Sequence, residues 1–269
     1  MPRRMRRRAD SNFQRQLIEY SISTSIPKDL PLVHVTQGFS LYDIMSVGAL
    51  VVRACDVFKR KLLYFFVFRP SYVKDATRET HQLSLAPVVF IIRPEAVPNP
   101  AHVYPFDTGG AASGAFDASD PIIPLEDYAL ESSHRAARGF IGWAFGDLAS
   151  YFTGRLRTDL LKGIPEHRCV VTAYVDIARM GLEGHGKHDK RASTVELSSS
   201  HNIDLKNNVM LTILPKCLIE KNPQVSGGLR DIATVVRTYN WQPNRRPIEF
   251  QKDIMRIARK WYLHEGWVA

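Results

Sequence analysis

Runs of apolar residues bounded by turn-forming residues predict several strands along the chain. β-Branched and aromatic side chains dominate these runs, as is typical of strands. The predicted strands are LVHVT (32–36), KLLYFFVF (61–68), APVVFII (86–92), CVVTAYVDI (169–177), RASTVELSSS (191–200) and NNVMLTILP (207–215). We expect the last two to form a hairpin through a turn at 202–208.

Apolar residues at helical spacing predict helices at roughly 12–20, 134–162 and 247–263. A further short helix follows the first strand, with Ser40 as a suitable N-cap and Gly48 as a residue that can end it in the left-handed conformation.

The order of these elements favours the α+β class, because strands and helices do not alternate regularly. Residues 94–127 are rich in Pro, Gly, Asp and Ser and predict a long loop, which in compact domains is usually functional. No glycine-rich loop stands between a strand and a helix, which speaks against a Rossmann or P-loop nucleotide site.

Composition is that of a globular protein, with 45% hydrophobic and 23% charged residues. The three cysteines, Cys55, Cys169 and Cys217, are too few and too widely spaced for a disulfide framework or a zinc ribbon, so we expect a reducing, cytoplasmic environment. The apolar runs are too short to cross a bilayer, and no apolar run follows the N-terminal arginines. We therefore expect no membrane segment and no secretory signal.

Charge is concentrated at the N-terminus. The chain carries a net charge of +9, and five arginines lie in its first eight residues, MPRRMRRR. A basic arm of this kind can follow the phosphates of a nucleic acid. The alternative is a solvated tail, and the composition leaves both open.

Glu196 is a carboxylate inside a strand of β-branched and apolar residues. Alternation places it on one face with Thr194 and Ser198, and places Val195 and Leu197 on the other. Glu196 either faces water on a half-exposed strand or is buried, where a charge is costly unless it has a partner. Periodicity alone favours the exposed alternative.

Three ordered blocks of the chain resemble the ADP-ribosyltransferase superfamily, including its DarT-type, nucleic-acid-modifying members. The first is HVTQGFSLYDIMSVGAL (34–50), in which a strand ends in His-x-Thr and leads into a short helix and a glycine. The second is YFFVFRPSY (64–72), an aromatic strand that runs into Arg-Pro-Ser-Tyr, and the third is RASTVELSSS (191–200), which carries a glutamate. This order resembles the His–Tyr–Glu branch of the superfamily.

The resemblance implies a split mixed or antiparallel β core with flanking helices, and NAD as co-substrate. It assigns Glu196 to the stabilisation of positive charge on the ribose, and Tyr72 to stacking on the nicotinamide, with Tyr64 as a second candidate. It implies that His34, with the help of Thr36, binds the ribose on the adenosine side.

Other residues follow from the same resemblance. Arg69 is a candidate partner of the NAD pyrophosphate. The segment YPFDTGGAASGAF (104–116) lies where the family keeps its substrate-facing loops, so Asp107 and Thr108, together with Arg191, are candidate substrate contacts. An ordinary tight turn is the alternative for Asp-Thr-Gly-Gly.

Some features limit the resemblance. The family often has Glu or Gln two residues before its catalytic glutamate, where this chain has Thr194, which argues against modification of arginine in proteins. If the alignment is out of register, Glu183 or Glu220 takes the place of Glu196. We predict no metal site, because His185 and His188 lack further ligands nearby.

The resemblance implies three parts: a basic arm and helix at 1–29, a catalytic domain at 30–225 and a C-terminal helical extension at 226–269. It implies an NAD-dependent ADP-ribosyltransferase, a toxin or antiphage effector that modifies RNA or DNA and is restrained by an antitoxin or chaperone. The alternatives are a protein-directed ADP-ribosyltransferase, an RNA 2′-phosphotransferase and a non-catalytic basic nucleic-acid-binding protein.

Overall fold

A computed structural model describes residues 15–22, 26–71, 82–116, 123–181 and 189–268. The helices are α1 (Arg15–Ser21), α2 (Gly38–Val47), α3 (Thr108–Ala112), α4 (His134–Phe145), α5 (Leu148–Thr153), α6 (Cys169–Arg179), α7 (Lys216–Glu220), α8 (Pro223–Asp231) and α9 (Gln251–His264). The strands are β1 (Leu32–Gln37), β2 (Ala49–Leu50), β3 (Arg53–Cys55), β4 (Arg60–Val67), β5 (Pro87–Ile92), β6 (His102–Tyr104), β7 (Glu196–Ser199), β8 (Ile203–Asp204), β9 (Val209–Pro215) and β10 (Val235–Tyr239).

The chain is of mixed α+β class, and its strands pair mostly in antiparallel fashion. Two compact units can be distinguished, each assembled from three separate segments. Unit one contains Met1–Leu30, Ala54–Val67 and Asn99–Ser200, and unit two contains Pro31–Arg53, Phe68–Pro98 and His201–Ala269. The three-part division expected from the sequence stays a prediction.

Unit one is built on β4, β7 and β6, which pair in this order and are antiparallel. The apolar side chains of β4 and β7 that point to one face, among them Phe65 and Leu197, are almost fully buried. Helix α4 contacts α1, α5 and β6, and its Phe140 meets Tyr174 of α6 edge to face. Burial of this apolar face favours folding of the unit.

The hydroxyl of Tyr151 on α5 takes part in the pairing of β4 with the residue before β7. Val67 N donates directly to Val195 O at 2.8 Å. The reciprocal bond is replaced by the tyrosine, which accepts from Val195 N at 3.0 Å and donates to Val67 O at 2.9 Å. This arrangement satisfies two buried backbone groups, which would be costly without partners.

Unit two is built on β1, β5, β9 and β10. Strand β5 lies between β1 and β9 and is antiparallel to both, whereas β10 is parallel to β9. All six residues of β5 are buried, as its continuous apolar run predicts. Tyr262 of α9 donates to Phe68 O, and Tyr239 of β10 donates to Pro87 O, each at 2.7 Å.

Several predicted elements are confirmed. The runs at 32–36, 61–68, 86–92 and 207–215 form β1, β4, β5 and β9, and the C-terminal helical pattern forms α9. Gly48 ends α2 with a φ of 70°, as expected. Ser40, however, lies inside α2, whose N-cap is Gln37, so the predicted cap was wrong.

Other predictions from the sequence were wrong. The run at 169–177 is helix α6 and not a strand, because its buried residues, including Val170, Tyr174 and Ala178, recur at helical spacing. The helical stretch at 134–162 breaks at Gly146, whose φ is 85°. The loop at 94–127 contains β6 and α3. Strands β7 and β9 form no hairpin, since each pairs with other strands.

Among the described residues, the helices are all too short or too polar to span a bilayer. The arginine arm, Tyr72, Glu183, His185 and His188 lie outside the described residues.

A close helix contact in unit one yields a test of the fold. A Cβ atom added to Gly139 of α4 would lie 1.5 Å from the carbonyl oxygen of Ser21 at the end of α1. We therefore expect Gly139→Ala to lower the free energy of unfolding by about 2 kcal/mol or more in urea titrations.

Gly227 of α8 is the matched control, because an added Cβ there meets no described atom within 4 Å. Gly227→Ala should raise the free energy of unfolding by about 0.5–1 kcal/mol through helix propensity. Equal effects of the two substitutions would contradict the contact between α1 and α4.

Candidate functional site

The face of β4, β7 and β6 opposite to Phe65 and Leu197 carries six side chains, which form two rows across the strands. The register of the strands defines these rows. The Glu196 row consists of Phe66, Glu196 and Tyr104, and the Ser198 row consists of Tyr64, Ser198 and His102. Because side chains alternate along a strand, the polar and aromatic residues share this face while Phe65, Leu197 and Val103 occupy the apolar one.

Glu196 is buried, with only 5% of its surface exposed. The alternative in which it faces water is therefore wrong. A buried carboxyl needs hydrogen-bond partners. Thr108 provides them: its Oγ1 donates to Glu196 Oε1 at 2.5 Å, and its backbone N–H also donates to the carboxyl.

The environment of Glu196 raises the pKa of its carboxyl well above the usual value. Burial is the main cause, and the negative charge of Asp107 together with a hydrogen bond shared with that side chain acts in the same direction. The hydrogen bonds from Thr108 act in the opposite direction, because they favour the ionised form. Glu196 therefore retains its proton at pH values where an exposed glutamate has released it.

The Asp-Thr-Gly-Gly segment begins a helix. Asp107 is the N-cap of α3, and its Oδ1 accepts hydrogen bonds from the backbone N–H groups of Gly109 and Gly110 at 2.9 and 3.1 Å. A Cβ atom at Gly110 would lie 2.9 Å from the ring of Phe116, so the close packing of this turn favours glycine. The cap places Thr108 in the first turn, opposite Glu196.

Arg191 lies between two carboxylates. Its Nη1 donates to Asp107 Oδ2 at 3.0 Å, while its Nε and Nη2 donate to the two oxygens of Asp189 at 3.1 and 2.8 Å. Its backbone carbonyl also accepts from Asp107 N at 3.2 Å. Charge-assisted bonds of this forked kind are among the stronger polar contacts in proteins.

The Ser198 row carries two further polar contacts. Tyr64 is half-buried, its hydroxyl lies 2.6 Å from Cys55 Sγ, and burial is the main cause of a strongly raised pKa. His102 Nε2 accepts a hydrogen bond from Arg60 Nη2 at 2.5 Å, and its ring stacks on Phe58 with 4.2 Å between the centroids.

His102 is held in its neutral form. Burial, and secondarily the charge of Arg60, lowers its pKa to about 4. In the Glu196 row, burial also raises the pKa of Tyr104, with the charges of Glu126 and Glu196 adding to the effect. Ser198 is buried, and its Oγ has no hydrogen-bond partner among the described residues. At neutral pH this face therefore combines uncharged aromatic and polar groups with the Glu196–Asp107 pair.

The structure brings together five of the residues that the sequence singled out: Glu196, Asp107, Thr108, Arg191 and Tyr64. His34 and Thr36 are half-buried on β1 of unit two, and Arg69 is fully buried in the same unit. Their roles towards NAD stay predictions. Glu220, the alternative to Glu196, lies on α7 and forms an exposed ion pair with Lys216.

Sequence reasoning missed Asp189, His102, Tyr104 and Ser198 as members of this cluster. The alternation in His-Val-Tyr and Glu-Leu-Ser was the available signal, since it places His102 with Tyr104, and Ser198 with Glu196, on common faces. His102 and Tyr104 fell in the segment that was expected to be a loop.

Among residues 15–22, 26–71, 82–116, 123–181 and 189–268, no group of three or more His, Cys, Asp or Glu side chains is arranged to hold a metal ion. No protein-family model, curated protein or solved structure matches the chain.

The raised pKa of Glu196 predicts a specific pH dependence of stability. The folded chain holds the Glu196 proton at pH values where the unfolded chain has released it, so the unfolded state binds fewer protons above the ordinary pKa of 4.5. The free energy of unfolding of the wild type should therefore fall with rising pH relative to that of Glu196→Gln, by up to about 1.4 kcal/mol per pH unit.

Urea titrations of both proteins between pH 5 and 8 measure this difference. Glu131→Gln, which alters an exposed glutamate, should follow the wild type at every pH. Parallel profiles of the wild type and Glu196→Gln would contradict the raised pKa of Glu196.

Proposed function

We propose that the chain is an NAD-dependent ADP-ribosyltransferase that transfers ADP-ribose to a nucleic acid, as a toxin or antiphage effector. One observation carries the proposal: Glu196 is a buried carboxyl, hydrogen-bonded by Thr108, at the centre of a strand face lined by aromatic side chains. The three blocks that resemble ADP-ribosyltransferases support it, because Glu196 is the glutamate to which the resemblance assigns the chemistry.

The position of Glu196 suits this chemistry. When NAD is bound, breaking its bond between nicotinamide and ribose builds up positive charge on the ribose and releases nicotinamide with the bonding electron pair. A carboxylate that is shielded from water interacts strongly with such charge, because the surroundings screen it little and the group needs no reorientation. Thr108 favours the ionised form of Glu196 that this role requires.

The neighbouring side chains fit a flat, positively charged ring. Tyr64 is half-buried in the row next to Glu196, and Tyr104 lies beside Glu196 in the same row. Aromatic faces attract cationic rings by stacking and by cation–π interaction. Within the described residues Tyr64 is thus the candidate for the stacking role that the resemblance gives to Tyr72.

Glu196 also suits proton removal from the acceptor. A carboxylate with a raised pKa is a stronger base than an exposed one and takes up a proton more readily near neutral pH. As the acceptor oxygen or nitrogen bonds to the ribose carbon, its proton passes to Glu196 and nicotinamide departs. The pKa of Glu196, raised by burial and by Asp107, serves this step.

Charge supports a nucleic acid as the acceptor. Besides the arginine arm, Lys59, Arg60 and Lys61 form an exposed run of three cations at the start of β4. Tyr64 follows in the same strand, four residues after Arg60, and points to the face that holds Glu196. A run of cations at this place would contribute salt-dependent affinity for phosphates.

Two of the three alternatives make less use of the buried carboxyl. An RNA 2′-phosphotransferase or a non-catalytic nucleic-acid-binding protein needs no glutamate at position 196. Such a protein would gain nothing from holding a costly acidic group in the interior.

The proposal predicts that Glu196→Gln removes turnover of NAD without unfolding the chain. Gln keeps the size of the side chain and can still accept from Thr108, but it carries no charge and cannot take a proton. We expect transfer of ADP-ribose to fall at least about 100-fold. The measurement uses NAD labelled on the adenylate, incubated with total RNA, single-stranded DNA or cell lysate.

Glu131→Gln is the matched control and should transfer label like the wild type. Label on RNA or on DNA from the wild type alone would establish the enzyme class and the acceptor together. Full transfer by Glu196→Gln, with unchanged circular dichroism, would exclude the role of Glu196.

A further inference from the structure

Asp107 and Arg191, which the sequence suggests as substrate contacts, are already engaged with other protein groups. The Arg191 guanidinium binds Asp107 through Nη1 and Asp189 through Nε and Nη2. Asp107 caps α3 through one oxygen and binds Arg191 through the other. Their side chains are only 17% and 13% exposed. Most of the hydrogen-bonding capacity and most of the surface of both side chains are therefore used within the protein.

We propose that Asp107 and Arg191 are positioning residues, which hold the start of α3 against β7 so that Thr108 gives its hydrogen bonds to Glu196. This inference rests on the proposed function only in that it takes Glu196 as the catalytic residue. It places Asp107, Thr108 and Arg191 behind the reacting groups and not in contact with substrate.

The first argument is mechanical. Helix α3 has only five residues, too few to be stable without outside contacts. Two links join its cap to the segment before β7: the ion pair between Asp107 and Arg191, and the hydrogen bond from Asp107 N to Arg191 O. Asp189 fixes the other side of the guanidinium. Thr108 is the next residue after this anchored cap.

The second argument is electrostatic. The titratable groups that face Glu196 are Asp107 before α3, Tyr64 on β4 and Tyr104 on β6, and Arg191 lies behind Asp107. Burial raises the pKa of both tyrosines, so they stay uncharged in the physiological range. The charge of Asp107 disfavours ionisation of Glu196, whereas the donors of Thr108 favour it. Asparagine at position 107 keeps an oxygen that can cap α3 and removes the charge, so Asp107→Asn and Thr108→Val should change the pKa of Glu196 in opposite directions.

The experiment compares pH profiles of nicotinamide release from NAD by the wild type, Asp107→Asn, Thr108→Val and Thr108→Ser. On the acidic side of the pH profile, kcat should fall as Glu196 takes up its proton. We expect this acidic limb to move to lower pH by about one unit in Asp107→Asn and to higher pH in Thr108→Val. At neutral pH, Thr108→Val should lose about 10- to 100-fold in kcat with little change in KM, and Thr108→Ser, which keeps the hydroxyl, should recover most of it.

Arg191→Lys tests the anchor. Lysine keeps the charge but lacks the fork that binds both carboxylates, so we expect a loss in kcat without a rise in KM. Asp176→Asn is the matched control, because it removes an aspartate from an exposed ion pair with Arg179 on α6. It should leave both the rate and the pH profile unchanged.

A second measurement does not depend on enzyme activity. Unfolding titrations between pH 5 and 8 include the contribution of the Glu196 proton, so Asp107→Asn should flatten the decline in stability with pH, while Thr108→Val should extend it to higher pH. If the wild type releases no nicotinamide but these profiles shift in opposite directions, the proposed function fails and the positioning of Glu196 stands.

Two results would overturn the inference. A rise in KM with an unmoved acidic limb in Asp107→Asn and Arg191→Lys would make these residues substrate contacts. Stability profiles that shift in the same direction in Asp107→Asn and Thr108→Val, or not at all, would show that the two residues do not set the ionisation of Glu196.

Discussion

The burial of a single carboxyl, that of Glu196, is the constraint around which this part of unit one is arranged. An acidic group in the interior requires donors, and Thr108 supplies two of them from the first turn of α3. That helix is too short to stand alone and is held by its capping aspartate, which in turn is held by Arg191. Polar contacts thus connect Glu196 to the start of α3, which lies far away in sequence. From there they return to Arg191, five residues before Glu196.

The same sheet shows how alternation separates two tasks. One face of β4 and β7 carries Phe65 and Leu197, which stabilise the fold through burial. The other face carries Glu196, with Tyr64 in the adjacent row and His102 kept neutral by burial. Neighbouring residues of one strand can therefore belong to the apolar core and to a polar cluster at once, because each side chain belongs to one face only.

The sequence predicted the elements whose pattern is local. Continuous apolar runs marked β5 and β9, and Gly48 marked the end of α2. Helix α6 was mistaken for a strand because valine and tyrosine suggested one, although its buried residues recur at helical spacing. At the site, alternation gave the face of Glu196 but not its burial, which depends on α3. The bond between Arg191 and Asp107 joins residues 84 positions apart, so no local pattern could reveal it.

The tyrosine inserted between β4 and the residue before β7 has a consequence for dynamics. The amide of Val195, adjacent to Glu196, is bonded to the hydroxyl of Tyr151 and not to a strand carbonyl. Its protection against exchange with solvent deuterium therefore depends on the docking of α5, while the amide of Val67 depends on the pairing of the backbones alone. Local opening of α5 would expose the amide of Val195 to exchange and leave the amide of Val67 protected. Exchange at Val195, next to Glu196, therefore reports whether α5 is docked.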